Sequence, residues 1–270
     1  MRFLIKCLVL CVLSCSAFAD YRILITNDDG IESPLLIALA ERLRQNYDVV
    51  VAAPRENQSG SSHASSGSGP YKVEKILRNG VLFGYGVHGR PADAARFGIL
   101  NLGSEKPFDL VVSGINRGAN VGDVAHLSGT VGAAMEGLYQ GIPAIAVSQD
   151  PRADTAISIQ ITLQAIAKIQ QQPLPAGTML SINVPAGDIK EVVVKPMGGS
   201  YIKYQPYKLT EQSEDADIYE RSVDYVRDDG EDHDTRAYQL GKATITPLKF
   251  DLTDTDLLQE MQSWKFELGE

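Results

Sequence analysis

Two adjacent carboxylates, Asp28 and Asp29, stand at the end of the apolar run Arg22-Ile23-Leu24-Ile25-Thr26 and are followed at once by Gly30. Side by side, such groups can hold a hard cation or move a proton. The same Asn27-Asp28-Asp29-Gly30 string also suits a turn and a helix cap, and taken alone it permits either reading. A second candidate is Ser113-Gly114-Ile115-Asn116-Arg117-Gly118-Ala119-Asn120-Val121-Gly122, which again leaves an apolar run. Its glycines let the backbone approach a ligand, although the spacing is no dinucleotide fingerprint and would serve an ordinary turn equally well. Ser128-Gly129-Thr130 opens a helical stretch whose free N–H groups and positive dipole end suit a phosphate, and an unliganded N-cap would look the same. His126 just before it offers either a proton donor or a surface position, and His63 lies in a serine-rich loop.

For these residues to meet, they must lie at the carboxyl ends of parallel strands, where open α/β sheets bind ligands. Strand one is residues 22–26. Ser33 can cap and Pro34 can open a helix with Leu35, Leu36, Leu39, Ala40 and Leu43 on its buried face, and residues 48–53 supply a second strand, closing a βαβ unit. The Ser-, Gly- and Asn-rich stretch 54–70 reads as a functional loop. Residues 71–76 and 81–87 flank Asn79-Gly80, a hairpin signal. Pro91 opens a helix through Leu100, residues 109–113 and 143–147 read as buried strands, and residues 128–139 read as a helix rich in small side chains. Over 153–171, Ile157, Ile159 and Ile161 alternate with period two, while length and Ala/Gln content favour a helix. Residues 179–184 add a strand.

After Lys195 the rhythm breaks. Residues 201–207 and 211–234 are Tyr-rich and charged without a clean helix or strand, and read as an arm against a neighbouring subunit or as a solvated excursion. A strand over 243–250 and a helix carrying Leu257, Leu258, Met261 and Trp264 close the chain. The expected fold is α/β: a Rossmann-like, largely parallel sheet flanked by helices, with a C-terminal extended arm. Its divisions are a segment 1–19, a catalytic core 20–194, an oligomerisation arm 195–241, and a strand and helix 242–270 returning to the core.

Composition narrows the function. With 44% hydrophobic and 22% charged residues in a chain of 270, a disordered or collagen-like polymer is excluded. A net charge of −9 argues against coating nucleic acid or a membrane surface, and means that an anionic substrate needs a local cation. Arg2 and Lys6, the apolar stretch Cys7 to Phe18, and Ala17-Phe18-Ala19 read as a secretory signal cleaved before Asp20. The stretch is short for an uncleaved anchor, and Val12-Leu13-Ser14 fits lipidation at Cys15 poorly. Cys7, Cys11 and Cys15 all lie within it, so the mature chain carries no thiol and a charge of −11. The expected location is secreted, in the periplasm.

Five blocks then carry a specific resemblance: Ile25 to Gly30; Ala53-Pro54 with Asn57-Gln58-Ser59-Gly60; Ser113 to Gly122; Ser128 to Gly137; and Ile245-Thr246-Pro247-Leu248. In order and at matching spacing, they resemble the signature blocks of the SurE family of metal-dependent 5'/3'-nucleotidases. The resemblance implies one divalent metal per subunit, Mg²⁺ or Mn²⁺, held by Asp28, Asp29, Ser59 and Asn116, a donor set of hard oxygens. It further implies phosphate contacts from Asn116, Gly118, Asn120, Ser128, Gly129 and Thr130. Asp28, with Asp29 beside it, would orient or deprotonate the attacking water. The expected activity is hydrolysis of nucleoside monophosphates by a homodimer or homotetramer, with no nucleic-acid polymer as partner and no membrane once the signal is removed. A broader phosphatase acting on other esters or short polyphosphate, and a non-catalytic periplasmic nucleotide-binding protein, are the alternatives. Four features depart from the family pattern: Arg90 where a Thr is usual, His126-Leu127 in place of an apolar and aromatic pair, an unusually acidic arm, and the signal segment itself.

Overall fold

The computed structural model describes residues 21–227, 230 and 232–266, so the expected signal segment lies outside the described residues. A nine-stranded sheet is wound in the order β3-β4-β2-β1-β5-β6-β7-β13-β8. Its central strands are β1 (Arg22–Thr26), β2 (Asp48–Pro54), β5 (Leu110–Arg117), β6 (Ala144–Gln149) and β7 (Thr178–Val184), all parallel. On one side, β4 (Val81–Val87) runs parallel to β2, and β3 (Val73–Arg78) pairs antiparallel with β4 across Asn79-Gly80. On the other, β13 (Ala243–Lys249) is antiparallel to β7 and parallel to β8 (Val192–Val194).

The apolar strands form because both faces are covered, and alternate side chains go to opposite layers. Ile23 and Ile25 of β1 join one cluster with Leu36 and Leu39 of α1 (Pro34–Leu43) and Ile166 of α4 (Thr155–Gln171). Leu24 joins the opposite cluster with Val131, Ala134 and Leu138 of α3 (Gly129–Tyr139), the layer shared with α2 (Pro91–Phe97). The chain passes from β1 to β2 on one side, and β5 lies on the other. The crevice at the ends of β1 and β5 is therefore the point where strand order reverses, and Asp28 and Asn116 both arise there.

Three regions differ from the sequence reading. The π turn Gly98–Leu102 continues α2 beyond its expected end. Residues 201–207 and 211–234, expected to carry no clean helix or strand, contribute to two antiparallel pairs, β9 (Ile202–Tyr204) with β12 (Val223–Tyr225) and, between them in sequence, β10 (Lys208–Gln212) with β11 (Asp217–Glu220), followed by α5 (Asp234–Gln239). Every residue of β10 and β11 is exposed, so these strands have no buried face to impose an alternating pattern. Finally, β13 returns to the sheet, but α6 (Thr255–Met261) buries none of its residues and ends before Trp264. The ambiguous stretch 153–171 is helical over α4, where the Asp154 carboxylate caps by accepting from the Ala156 N–H. Among the described residues, no helix is long and apolar enough to cross a membrane.

Candidate active site

β1 ends in a tight turn that Asn27 closes, its amide donating to the Gly30 carbonyl at 2.9 Å and its Oδ1 accepting from the Gly30 N–H at 3.2 Å. The next two residues are thereby delivered to the crevice. Asp28 is only 3% exposed and accepts a 2.6 Å hydrogen bond from the Thr130 hydroxyl. Burial pushes its pKa up to about 6, against the pull of that bond and with a further push from Asp29. Asp29 is raised too, chiefly by burial, although the Arg117 N–H donates to its Oδ2 at 3.1 Å. Asn57 Nδ2 reaches the other oxygen of Asp29 at 3.3 Å. The Arg117 bond ties the β1 turn to the end of β5, where Asn116 spends its amide N–H on the Gly118 carbonyl at 2.8 Å and keeps its Oδ1 as an acceptor.

The serine-rich loop after β2 comes back over this crevice. The Gln58 N–H donates to the Asp28 carbonyl at 2.7 Å, so Ser59 is held one residue from that contact. Farther on, the loop lies directly on the first turns of α3. A Cβ on Gly129 would stand 2.7 Å from Ser61 Oγ and 2.8 Å from Asp28 Cβ, and one on Gly132 would collide with the Ser62 carbonyl. Ser128 caps α3 by accepting from the Val131 N–H at 3.1 Å. The ordinary capping role and a place beside the crevice thus coincide in one residue.

The donors fit a divalent cation. Two carboxylates meet with no ion pair to either among the described residues, and burial raises the proton affinity of both, the charge of Arg117 offsetting it only in part at Asp29. No group of three His, Cys, Asp or Glu side chains suited to a metal occurs among the described residues. A cation here therefore has two carboxylates and must complete its shell with neutral oxygens, which Ser59 and Asn116 possess.

Not every expected residue is free for a ligand. Asn120 is 6% exposed, and its amide donates to Ser148 Oγ at 2.8 Å while its N–H donates to Asn183 Oδ1 at 2.7 Å, so its polar groups knit the ends of β6 and β7. Gly118 donates its N–H to the Gln149 carbonyl. His126 is exposed on the 3-10 turn Gly122–Leu127 and borders a cavity of about 550 Å³ shared with His63, Met135 and Phe250. His63 is fastened to Glu136 at 2.9 Å and serves the loop's position.

Several contributors escaped the sequence reading. Glu136, fully buried on α3, takes a bidentate bond from Arg96 at 2.9 Å and one from Gln140, besides that from His63. Asp93, 5% exposed, accepts from the Ser65 hydroxyl at 2.6 Å and from the Ser66 N–H at 2.9 Å. These two carboxylates pin the serine-rich loop from below. Ser61 Oγ is buried without a partner beside Gly129 and Asp28, and so is available to a ligand in the crevice. In the sequence, Asp93 and Glu136 look like surface acids of two helices; only the loop's fold over them gives them partners.

Residues 23–204 match the family model described as Survival protein SurE. The chain is 36% identical over 250 residues to a protein named 5'-nucleotidase SurE from Clostridium beijerinckii, covering 88% of this chain and 97% of that one. It is 35% identical over 246 residues to the 5'/3'-nucleotidase SurE of Proteus mirabilis, covering 90% and 95%. The crystal structure of a SurE protein from Aquifex aeolicus superposes with a TM-score of 0.77 at 31% identity, covering 89% of this chain and 98% of that one.

Proposed function

The chain belongs to the SurE family, and from that premise we propose that it is a nucleotidase hydrolysing nucleoside monophosphates with a divalent cation held by Asp28, Asp29, Ser59 and Asn116. The observation that carries this reading is the 2.6 Å bond from Thr130 to Asp28. It joins the carboxylate pair to the N-terminus of an eleven-residue helix, so a cation and the phosphate it neutralises would share one crevice.

In the reaction, water adds to phosphorus, the bond from phosphorus to the sugar oxygen breaks, and a proton passes to that oxygen. When bound, a divalent ion of the Mg²⁺ or Mn²⁺ class supplies Lewis-acid neutralisation and lowers the pKa of water. Asp28, whose orientation the Thr130 hydroxyl fixes, is placed to accept the water's proton. Asp29 is held in a single pose by Asn57 and Arg117. The free N–H groups of the first turn of α3, that of Thr130 among them, and the Ser128 hydroxyl meet the charge on the non-reacting phosphate oxygens, while the Thr130 hydroxyl proton stays on Asp28. Asn116 stands in the last two residues of β5 and Gly118 directly follows the strand.

A phosphate-release screen of purified residues 20–270 over nucleoside monophosphates, simple phosphate esters and short polyphosphate, with and without Mg²⁺ or Mn²⁺, tests the reading. The expected result is metal-dependent release with the nucleotides turned over fastest. Equal rates on all esters would make it a general phosphatase, and nucleotide binding without release would make it a binding protein. We further propose export of the mature chain, on the strength of Ala17-Phe18-Ala19 and the apolar stretch before it. N-terminal sequencing of periplasmic material should begin at Asp20, and an intact Met1 on cytoplasmic protein would overturn that.

A further inference from the structure

Beside the crevice, on the β4 side of the serine-rich loop, lies a second, polar cavity of about 340 Å³ bordered by Arg55, Glu56, Gln58, Ser66, His88 and Arg90. Its cations are not equivalent. Arg55 is engaged with Glu74 at 2.9 Å, and His88 with the same carboxylate at 3.0 Å. Lys72 is bound there as well. The Arg90 guanidinium has a different environment: it donates to the neutral Gln58 amide oxygen at 3.1 Å and forms no ion pair, Glu56 included, among the described residues. The Arg90 backbone N–H is separately bound to Asp93 at 2.9 Å, which fixes the side chain's root.

An exposed guanidinium without a counter-ion is a point of positive potential in a chain whose net charge is −9. Its one partner leads straight to the crevice, because the N–H of the same Gln58 donates to the Asp28 carbonyl. A phosphate would exchange that neutral acceptor for charge-assisted, bidentate bonds, the geometry in which a guanidinium binds best.

We propose that Arg90 forms a subsite for a second phosphate group of the substrate, adjacent to the crevice that takes the reacting phosphate. It favours nucleotides with two phosphates over monophosphates. This deepens the nucleotidase reading and rests on it for the identity of the first site. The second phosphate can be carried on the ribose or linked as an anhydride.

The test compares adenosine 3',5'-bisphosphate, ADP and AMP on the wild type, Arg90→Gln and Lys190→Gln. Lys190 is an exposed cation near β8, at the opposite edge of the sheet from β4, and controls for loss of charge alone. Calorimetric titration with Mg²⁺ present, each variant carrying Asp28→Asn to slow turnover while keeping an oxygen at the cation site, reads binding, so a failure of the subsite is separate from a failure of the nucleotidase activity. Arg90→Gln should weaken binding of at least one two-phosphate ligand, relative to AMP in the same variant, by about tenfold or more, the worth of a charge-assisted hydrogen bond. Loss with the bisphosphate alone places the second phosphate on the ribose; loss with ADP alone places it on the chain. An unchanged ratio for both ligands in folded Arg90→Gln, or an equal loss in Lys190→Gln, would overturn the proposal.

Discussion

Asp28 is almost wholly buried and bonded to Thr130, which makes it sensitive to a change of one atom. In Asp28→Asn the size and one oxygen persist, but the charge and the proton acceptor do not. Phosphate release should fall by about 10² or more, as for loss of a general base, with an unchanged thermal melt. Near-normal turnover would remove Asp28 from the mechanism. Glu136 is the opposite case. Burial by itself would raise it, but bonds from His63, Arg96 and Gln140 outweigh that and hold it below its ordinary value of 4.5. A carboxyl depressed in the folded state stabilises the protein above its unfolded pKa, and that contribution is lost as pH falls. Glu136→Gln should therefore cost about 2–3 kcal/mol at neutral pH, less than for a fully buried pair because Arg96 keeps some contact with water. Urea titrations should show the gap to wild type narrowing below pH ~4.5; a gap independent of pH would mean that the ionised carboxylate is not what holds the loop.

At the scale of elements, α3 and the serine-rich loop behave as one unit because Gly129 and Gly132 let them touch. Helix propensity favours Gly132→Ala by about 1 kcal/mol. Here the added methyl meets the Ser62 carbonyl, so the loop must lift. The expected outcome is no gain in melting temperature, faster proteolysis within residues 59–66, and activity lower by about tenfold, since small displacements of positioning groups are costly. A stabilised, fully active Gly132→Ala would show that the loop can lie elsewhere. The elements themselves were largely legible in the sequence. β1, the Asn79-Gly80 hairpin and α3 announce themselves by apolar runs, turn residues and a capping serine, which are local signals. The loop's seat on α3 was not legible, because Ser62 and Gly132 are seventy residues apart in sequence and neither carries a pattern that points to the other. For the same reason the carboxylate pair could be read from the end of β1, while Ser61, Asp93 and Glu136 could not.

For the molecule as a whole, the described chain leaves Tyr207, Leu209, Ile218 and Tyr219 exposed on a hairpin that packs on nothing of its own. Exposed apolar residues grouped on one projection mark an association surface. Replacing residues 206–221 by a short linker keeps the β9–β12 pairing, and should lower the oligomeric mass in sedimentation without unfolding the core. An unchanged mass would show that this hairpin joins no copies of the chain. The base of this region is differently made. The Asp234 carboxylate accepts from the Gly122 and Gly198 N–H groups at 3.0 and 2.8 Å, and the Tyr201 hydroxyl donates to the Ala119 carbonyl at 3.0 Å. No composition signal separates that anchored base from the exposed hairpin beyond it, which is why the sequence showed a single arm.

The two carboxylates beneath the serine-rich loop also divide it into unequal halves. The stretch up to Ser66 is fastened at Ser62, His63, Ser65 and Ser66, whereas residues 67–70 are exposed, with the Tyr71 hydroxyl bonded to the Gly67 carbonyl. That distal stretch is a natural splice point for foreign sequence. Lengthening a loop is inexpensive in closure entropy, about 0.6 kcal/mol per doubling, provided that the anchors stay in place. An affinity peptide inserted between Ser68 and Gly69 should leave turnover within about twofold of the parent. The same peptide inserted between Gly60 and Ser61 should abolish it. Such a handle would let the enzyme be immobilised or labelled beside the crevice at the ends of β1 and β5.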